Sequence, residues 1–237
     1  MSANAVSFNR GVVKPLDCLK TGWSMIKGQY WLFLGITAVG ILIGSVGPMA
    51  ILVGPMMCGI YLCLLARFRG EAVSFELLFK GFDYFAQSLI AALIQVVPLM
   101  ALLVPVYAIF FIMFMGQMQR PRTRGRGAPP DPSEMLPLFI MMGVVILLIV
   151  LIGTLIGAFF IFTFPLIVDR RLKALDALKT SVKAVMANLG GVLGLMLLNM
   201  LLGLAGMLLC YVGAILLMPV SFASWAVAYR RVFPAET

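Results

Sequence analysis

The 237-residue chain contains no histidine. That removes the commonest general base and the commonest metal ligand from any chemistry it could perform. Charge is almost as scarce. Asp, Glu, Lys and Arg make up 11% of residues, against roughly 25% in a water-soluble domain. Such a chain has too little polar surface to face water on all sides. Cysteine occurs four times, at Cys18, Cys58, Cys63 and Cys210, in no zinc-like spacing. Cys58 and Cys63 fall inside an apolar run, where a thiol acts as a small apolar side chain. Neither a metal centre nor a disulfide is expected. The first 30 residues carry Arg10, Lys14, Asp17, Lys20 and Lys27. They lack the apolar core of a cleavable signal peptide, so the first membrane span is expected to serve as its own insertion signal.

What the chain has in abundance is apolar length. Sixty-two percent of residues are hydrophobic. Four runs, Trp31–Ala66, Ser88–Met115, Leu136–Val168 and Leu189–Ala228, contain no Asp, Glu, Lys or Arg. About 20 such residues cross a bilayer as a helix. In lipid the backbone must satisfy its own polar groups, which leaves helices or closed barrels. Barrel strands alternate apolar and polar residues. These runs are apolar throughout, so the expected fold is all-α, a polytopic membrane helical bundle in a single integral membrane domain, 1–237.

One motif occurs twice. "LDCLKT" at Leu16–Thr21 returns as "LDALKT" at Leu175–Thr180. Around the first, Val12, Leu16, Leu19, Trp23 and Ile26 recur at helical spacing, with Lys14, Asp17, Lys20 and Lys27 mostly on the other side. Around the second, Leu172, Leu175, Leu178, Val182, Val185 and Leu189 form the apolar stripe and Lys173, Asp176, Lys179 and Lys183 the polar one. Helical periodicity with a basic face is the pattern of a helix in the membrane interface. Each motif precedes an apolar hairpin, and a gap of about five residues brings Pro55 over Pro219, Tyr61 over Trp225 and Arg67 over Arg231. "SFELLFKGFDYF", Ser74–Phe85, reads as a third, degenerate copy. Phe75, Leu78, Phe79, Phe82 and Phe85 stand at helical spacing in it. The expectation is an internal parallel repeat (units 12–69, 73–165 and 170–233) with about six spans. The two middle spans are unusually long, and Pro98, Pro105 and Pro165 should kink or end helices.

Six spans put fourteen Lys and Arg on one side and four on the other. By the positive-inside rule both termini are cytoplasmic. The four are Arg120, Arg122, Arg124 and Arg126, within "RPRTRGRGAPPDP". Such a cluster fits nucleic acid or phosphate, but its Pro and Gly content favours a solvated loop. No nucleic-acid partner is expected.

No Asp, Glu, Lys, Arg or His lies within the runs. Transporters and pumps usually place some there. Gln95 and Asn199 are the notable polar residues at depth, and interhelical hydrogen bonding is the simplest use for them. The acids Asp17, Glu71, Glu76, Asp83, Asp169 and Asp176 all lie near basic residues, and Asp17 precedes Lys20, as Asp176 precedes Lys179, by three positions, which shares a helix face. No catalytic residues or cofactors are expected. Gly-x-x-x-Gly occurs at Gly40/Gly44, Gly153/Gly157 and Gly190/Gly194, a spacing suited to close helix packing.

"FTFPLIVDRRLKALDALKTS", Phe162–Ser181, with the hairpin ending "AVAYRRVF", Ala226–Phe233, resembles a large group of uncharacterised bacterial integral membrane proteins. They are similar to the membrane domain of some glycerophosphoryl diester phosphodiesterases. "RGEAVSFELLFKGFDYF", Arg69–Phe85, resembles that group's segment between hairpins. The likeness implies a helical membrane fold in a bacterial cytoplasmic (inner) membrane. It implies no activity, since the phosphodiesterase catalytic domain is not present in this sequence. The expected role is that of a non-enzymatic membrane protein, a lipid-contacting scaffold or sensor. Lys14, Lys20, Lys27, Arg170, Arg171, Lys173, Lys179 and Lys183 would contact anionic headgroups of the membrane lipids. The alternative is a transporter or channel for a lipid-like or apolar solute.

Overall fold

A computed structural model describes residues 7–46, 51–119, 132–208 and 212–234. The arginine-rich loop, Arg120–Pro132, lies largely outside them. Among the described residues all regular structure is helical: α1 (Pro15–Ile26), α2 (Tyr30–Val46), α3 (Val53–Phe68), α4 (Phe85–Gln119), α5 (Pro132–Phe160), α6 (Thr163–Arg170), α7 (Ala174–Ala187), α8 (Leu189–Leu208) and α9 (Val212–Val232). Among the described residues five helical runs are long and apolar enough to cross a membrane: Pro15–Val46, Phe75–Gly116, Phe139–Arg170, Leu189–Leu208 and Val212–Val232. The chain is therefore a helical, multi-pass membrane protein. α3 is apolar but has only 16 residues.

The chain forms two compact units. One comprises Met1–Ile94 with Ala158–Thr237, the other Gln95–Gly157. In the first, small residues set the packing. Gly40 and Gly44 of α2 meet Ile60, Val53 and Met56 of α3. Gly206 of α8 lies against Gly213 and Ala214 at the start of α9, and Gly191 and Gly194 face Val13 and Pro15. The useful glycine pair at the start of α8 is thus Gly191/Gly194, since Gly190 faces open space.

The third amphipathic segment departs from its expected α-helical spacing. Phe75–Tyr84 is a 3₁₀ helix of 10 residues. Three residues per turn line up Leu78 and Gly81 on the buried side and Phe79, Phe82 and Phe85 on the exposed side. Runs this long are uncommon. Its neighbour supplies a reason: Leu78 comes against Gly59 and Gly81 against Pro55 and Gly59 of α3, backbone to backbone. An extended, slim helix fits that narrow gap. With Ser88 against Gly54 further on, the segment runs antiparallel along α3.

The other amphipathic segments also run beside a preceding or closing helix. α1 runs antiparallel along α9. The Asn9 N–H donates to the Val232 carbonyl at 2.8 Å, a methyl on Gly22 would lie 2.8 Å from the Ser224 nitrogen, and the Tyr30 hydroxyl donates to the Leu216 carbonyl at 2.6 Å. α1 begins at Pro15, three residues later than Val12, because proline suits the first helical turn. It passes into α2 through a 3₁₀ turn, Lys27–Gln29, with no intervening loop. α7 starts after Arg171, whose φ of 50° reverses the chain, and runs back along α6.

The prolines act differently by position. α4 continues through Pro98 and Pro105. Pro165, by contrast, follows the break between α5 and α6 at Ile161–Phe162, since it offers no N–H to the Ile161 carbonyl. Ser181 of α7 repairs that break. Its hydroxyl donates to the Phe159 carbonyl at 2.6 Å and accepts from the Phe162 N–H at 3.2 Å.

Candidate headgroup-contact site

Both α1 and α7 have four sides rather than two. On α1 the residues buried against α9 are Cys18, Gly22 and Ile26. Leu16 is 61% exposed and Trp23 46%, Lys20 and Lys27 are exposed beside them, and Lys14 is exposed at the N-cap. On α7 the buried side is Ala174, Ala177, Ser181, Ala184 and Val185. Leu175 is 56% exposed, and Lys173, Lys179 and Lys183 are exposed. At 3.6 residues per turn the sides follow in the same rotational order on both helices: small, bulky apolar, basic, other polar. The bulky apolar side faces outward, where lipid would cover it, and the long lysine stems can lie along it with the ammonium in water. Trp23, Tyr30 and Trp31 form an edge-to-face chain with centroids 5.7 and 5.5 Å apart. Such amphipathic rings suit the membrane–water boundary.

Of the eight expected headgroup contacts, the six lysines and Arg171 are exposed. Arg170 is turned inward. Its Nη2 donates to the Pro234 carbonyl at 2.6 Å, and its Nε lies 3.7 Å from Asp169. Arg170 therefore belongs to a cluster that local reading did not assemble. The Asp169 carboxylate accepts from the Tyr229 hydroxyl at 2.8 Å and from both terminal nitrogens of Arg230 at 3.2 and 3.0 Å. Arg69 approaches it at 3.9 Å. Arg69 itself pairs with Glu71, and this contact holds the exposed Glu71 carboxyl below its usual range. The C-terminal ends of α3, α6 and α9 thus meet on one carboxylate. The bidentate arginine and the phenol, both on α9, tie α6 to α9, and α3 joins them only through the longer Arg69 contact. Asp169 thus serves as a clamp between these ends. The only sequence hint was that "ARFR", "VDRR" and "AYRR" each close an apolar run.

Beneath the clamp, Tyr229, Phe162 and Phe233 pack with centroids 5.2 to 6.3 Å apart. Arg67 donates to the Met25 carbonyl at 3.1 Å and ties α3 to the end of α1. Arg231 stands 3.9 Å from Asp17, a partner across helices that local spacing did not indicate.

The intramembrane amides separate. Asn199 donates to the Leu195 carbonyl at 2.9 Å and to the Ser224 hydroxyl at 3.2 Å, joining α8 to α9. Gln95 lies in α4 in the second unit, half-buried. A third amide was missed. Asn188 accepts from the Val12 N–H at 3.1 Å and donates to the Asn9 and Ala184 carbonyls at 3.0 and 2.9 Å. It ends α7 and caps the approach to α1 together. The free thiols Cys18, Cys58 and Cys63 are buried.

No protein-family model matches the chain, and no curated protein or solved structure is significantly similar to it.

Proposed function

We propose that this is a non-enzymatic integral membrane protein that contacts anionic lipid headgroups through α1 and α7 and acts as a lipid-contacting scaffold or sensor. The observation that carries the reading is the exposure of Lys20 and Lys179 beside exposed Leu16, Trp23 and Leu175 on helices whose small side is already packed on protein. A soluble helix would bury its bulky side and leave its small side out. Each lysine near an anionic surface contributes about 1 kcal/mol.

Six crossings complete the proposal, with α3 as the sixth. At 1.5 Å per residue its 16 residues span about 24 Å, short of a hydrocarbon core of about 30 Å. Most of α3 is buried in protein, so its length need not match the lipid around it. Both termini are then cytoplasmic, on the side with more Lys and Arg. The bacterial cytoplasmic membrane rests on the resemblance given above. The parallel repeat is supported by the shared rotational order of the sides of α1 and α7.

A second reading, a carrier for a lipid-like solute, draws on one observation. In the second unit α4 and α5 share an apolar groove lined by Val106, Phe110, Met113, Met141 and Val145. Against it, Asn199 is committed to helix joining.

The test uses spin labels at Lys20→Cys and Lys179→Cys in a chain lacking its native cysteines, reconstituted in bilayers. Shallow depth at both sites, increasing with phosphatidylglycerol content, is expected. Labels deep in hydrocarbon, or in bulk water whatever the lipid, would overturn the reading. Impermeant thiol labelling of Lys20→Cys in intact cells would overturn the orientation.

A further inference from the structure

We infer that the chain holds two anionic phospholipid headgroups, one at α1 and one at α7, and that an equivalent third position on the 3₁₀ helix Phe75–Tyr84 is set against holding one. The inference rests on the headgroup reading above and deepens it.

The three segments correspond residue by residue. Each starts from an extended residue at its N-cap: Lys14, Ser74 and Lys173. Four positions on, Cys18, Leu78 and Ala177 are fully buried. Six positions on, Lys20, Lys80 and Lys179 are exposed. Then comes the small residue of closest approach: Gly22 on α9, Gly81 on α3 and Ser181 at the α5–α6 break. Gly81 arrives one position early because the 3₁₀ helix turns in fewer residues. The docking order is cyclic. The second segment lies along α3, the third along α6, and the first along α9. Lys80 therefore occupies the position in its segment that Lys20 and Lys179 occupy in theirs.

Charge separates the three. Lys14, Lys20 and Lys27 face one acid, Asp17, giving +2; Lys173, Lys179 and Lys183 face one acid, Asp176, giving +2. In the middle segment the single Lys80 faces Glu76 and Asp83, giving −1. The N-cap lysine is replaced by Ser74. The eclipsed three-residue spacing places Asp83 over the same side of the 3₁₀ helix as Lys80. The outward side is the stacked pair Phe82 and Phe85, with centroids 6.5 Å apart, in line with Phe79. Aromatic rings with net negative charge suit uncharged lipid, not a phosphate-rich anionic headgroup.

The experiment counts lipids retained by the intact protein in native mass spectrometry after titration with phosphatidylglycerol, with phosphatidylcholine as reference. Wild type should retain two phosphatidylglycerols. Lys14→Gln/Lys20→Gln and Lys179→Gln/Lys183→Gln should each retain one, and Lys80→Gln two. Glu76→Gln/Asp83→Asn should gain a third. All these sites are exposed, and an unchanged melting temperature in detergent checks that each variant is folded. Loss of a lipid in Lys80→Gln, or no gain in Glu76→Gln/Asp83→Asn, overturns the two-site inference while leaving the headgroup reading standing. No preference for phosphatidylglycerol in wild type overturns the headgroup reading itself.

Discussion

The two units use the same residue types to opposite ends. In Met1–Ile94 with Ala158–Thr237, six glycines are close contact points: a methyl at Gly22, Gly54, Gly59, Gly81, Gly191 or Gly206 would strike a neighbouring backbone. In Gln95–Gly157, Gly116, Gly143 and Gly157 face open space, and Gly153 meets only a leucine methyl at 3.4 Å. Polar ties divide the same way: Asn188, Asn199, Ser181 and Asp169 all join elements of the first unit. The long helices of the second carry large apolar side chains on nearly every side. Lipid rewards a Leu or Phe on the outside as well as another helix does. Only close approach and hydrogen bonding then distinguish a built interior from a lipid-bathed helix.

The sharpest way to break this contrast is to enlarge one glycine in each unit. Gly59→Leu should abolish the folded, monodisperse protein on detergent extraction, because the side chain must displace the backbone of the 3₁₀ helix. Gly143→Leu should extract as wild type does. Next comes the clamp. Asp169→Ala leaves Arg230 and Arg170 around an empty position and should destabilise by about 3 kcal/mol, read from unfolding midpoints in mixed detergent. Arg230→Gln combined with Asp169→Ala should cost less than the sum of the two, since they remove one interaction. Ser181→Ala strands the Phe159 carbonyl and the Phe162 N–H and should cost about 1–3 kcal/mol, whereas Thr154→Ala, on the exposed side of α5, should be close to neutral. The smallest effect belongs to Glu71. Its carboxyl is held below the usual range by Arg69, so this contact is present at neutral pH and fades as pH falls through its lowered pKa. Fully solvated, it should shift the neutral-pH midpoint in Glu71→Gln by no measurable amount.

The helical class and the basic segments were legible in the sequence because apolar length and 3.6-residue periodicity are properties of the chain itself. The buried side of each amphipathic helix was less so. Pattern reading sorts apolar from polar, but here the sorting is small from bulky. Cys18 and Gly22 go inward while Leu16 and Trp23 go out, and Ala177 goes inward while Leu175 goes out. The 3₁₀ form of Phe75–Tyr84 depends on the narrow gap beside Gly59, 16 positions earlier than Phe75, which no local window contains. Asp169 had adequate local partners in Arg170 and Arg171. Its tie to Arg230, 61 positions away, exists only once α6 and α9 end together.

The docking of the three segments also sets an order in time. The 3₁₀ helix and α7 each lie along a helix that the ribosome has just completed. α1 must wait for α9, and the hydrogen bond from Asn9 to Val232 joins residues more than two hundred positions apart. Such long-range contacts form slowly and leave apolar surface uncovered meanwhile. The first helix synthesised is thus the last to find its place. A chain cut short before α9 would leave the small side of α1, Cys18 and Gly22, without the backbone it is shaped to meet.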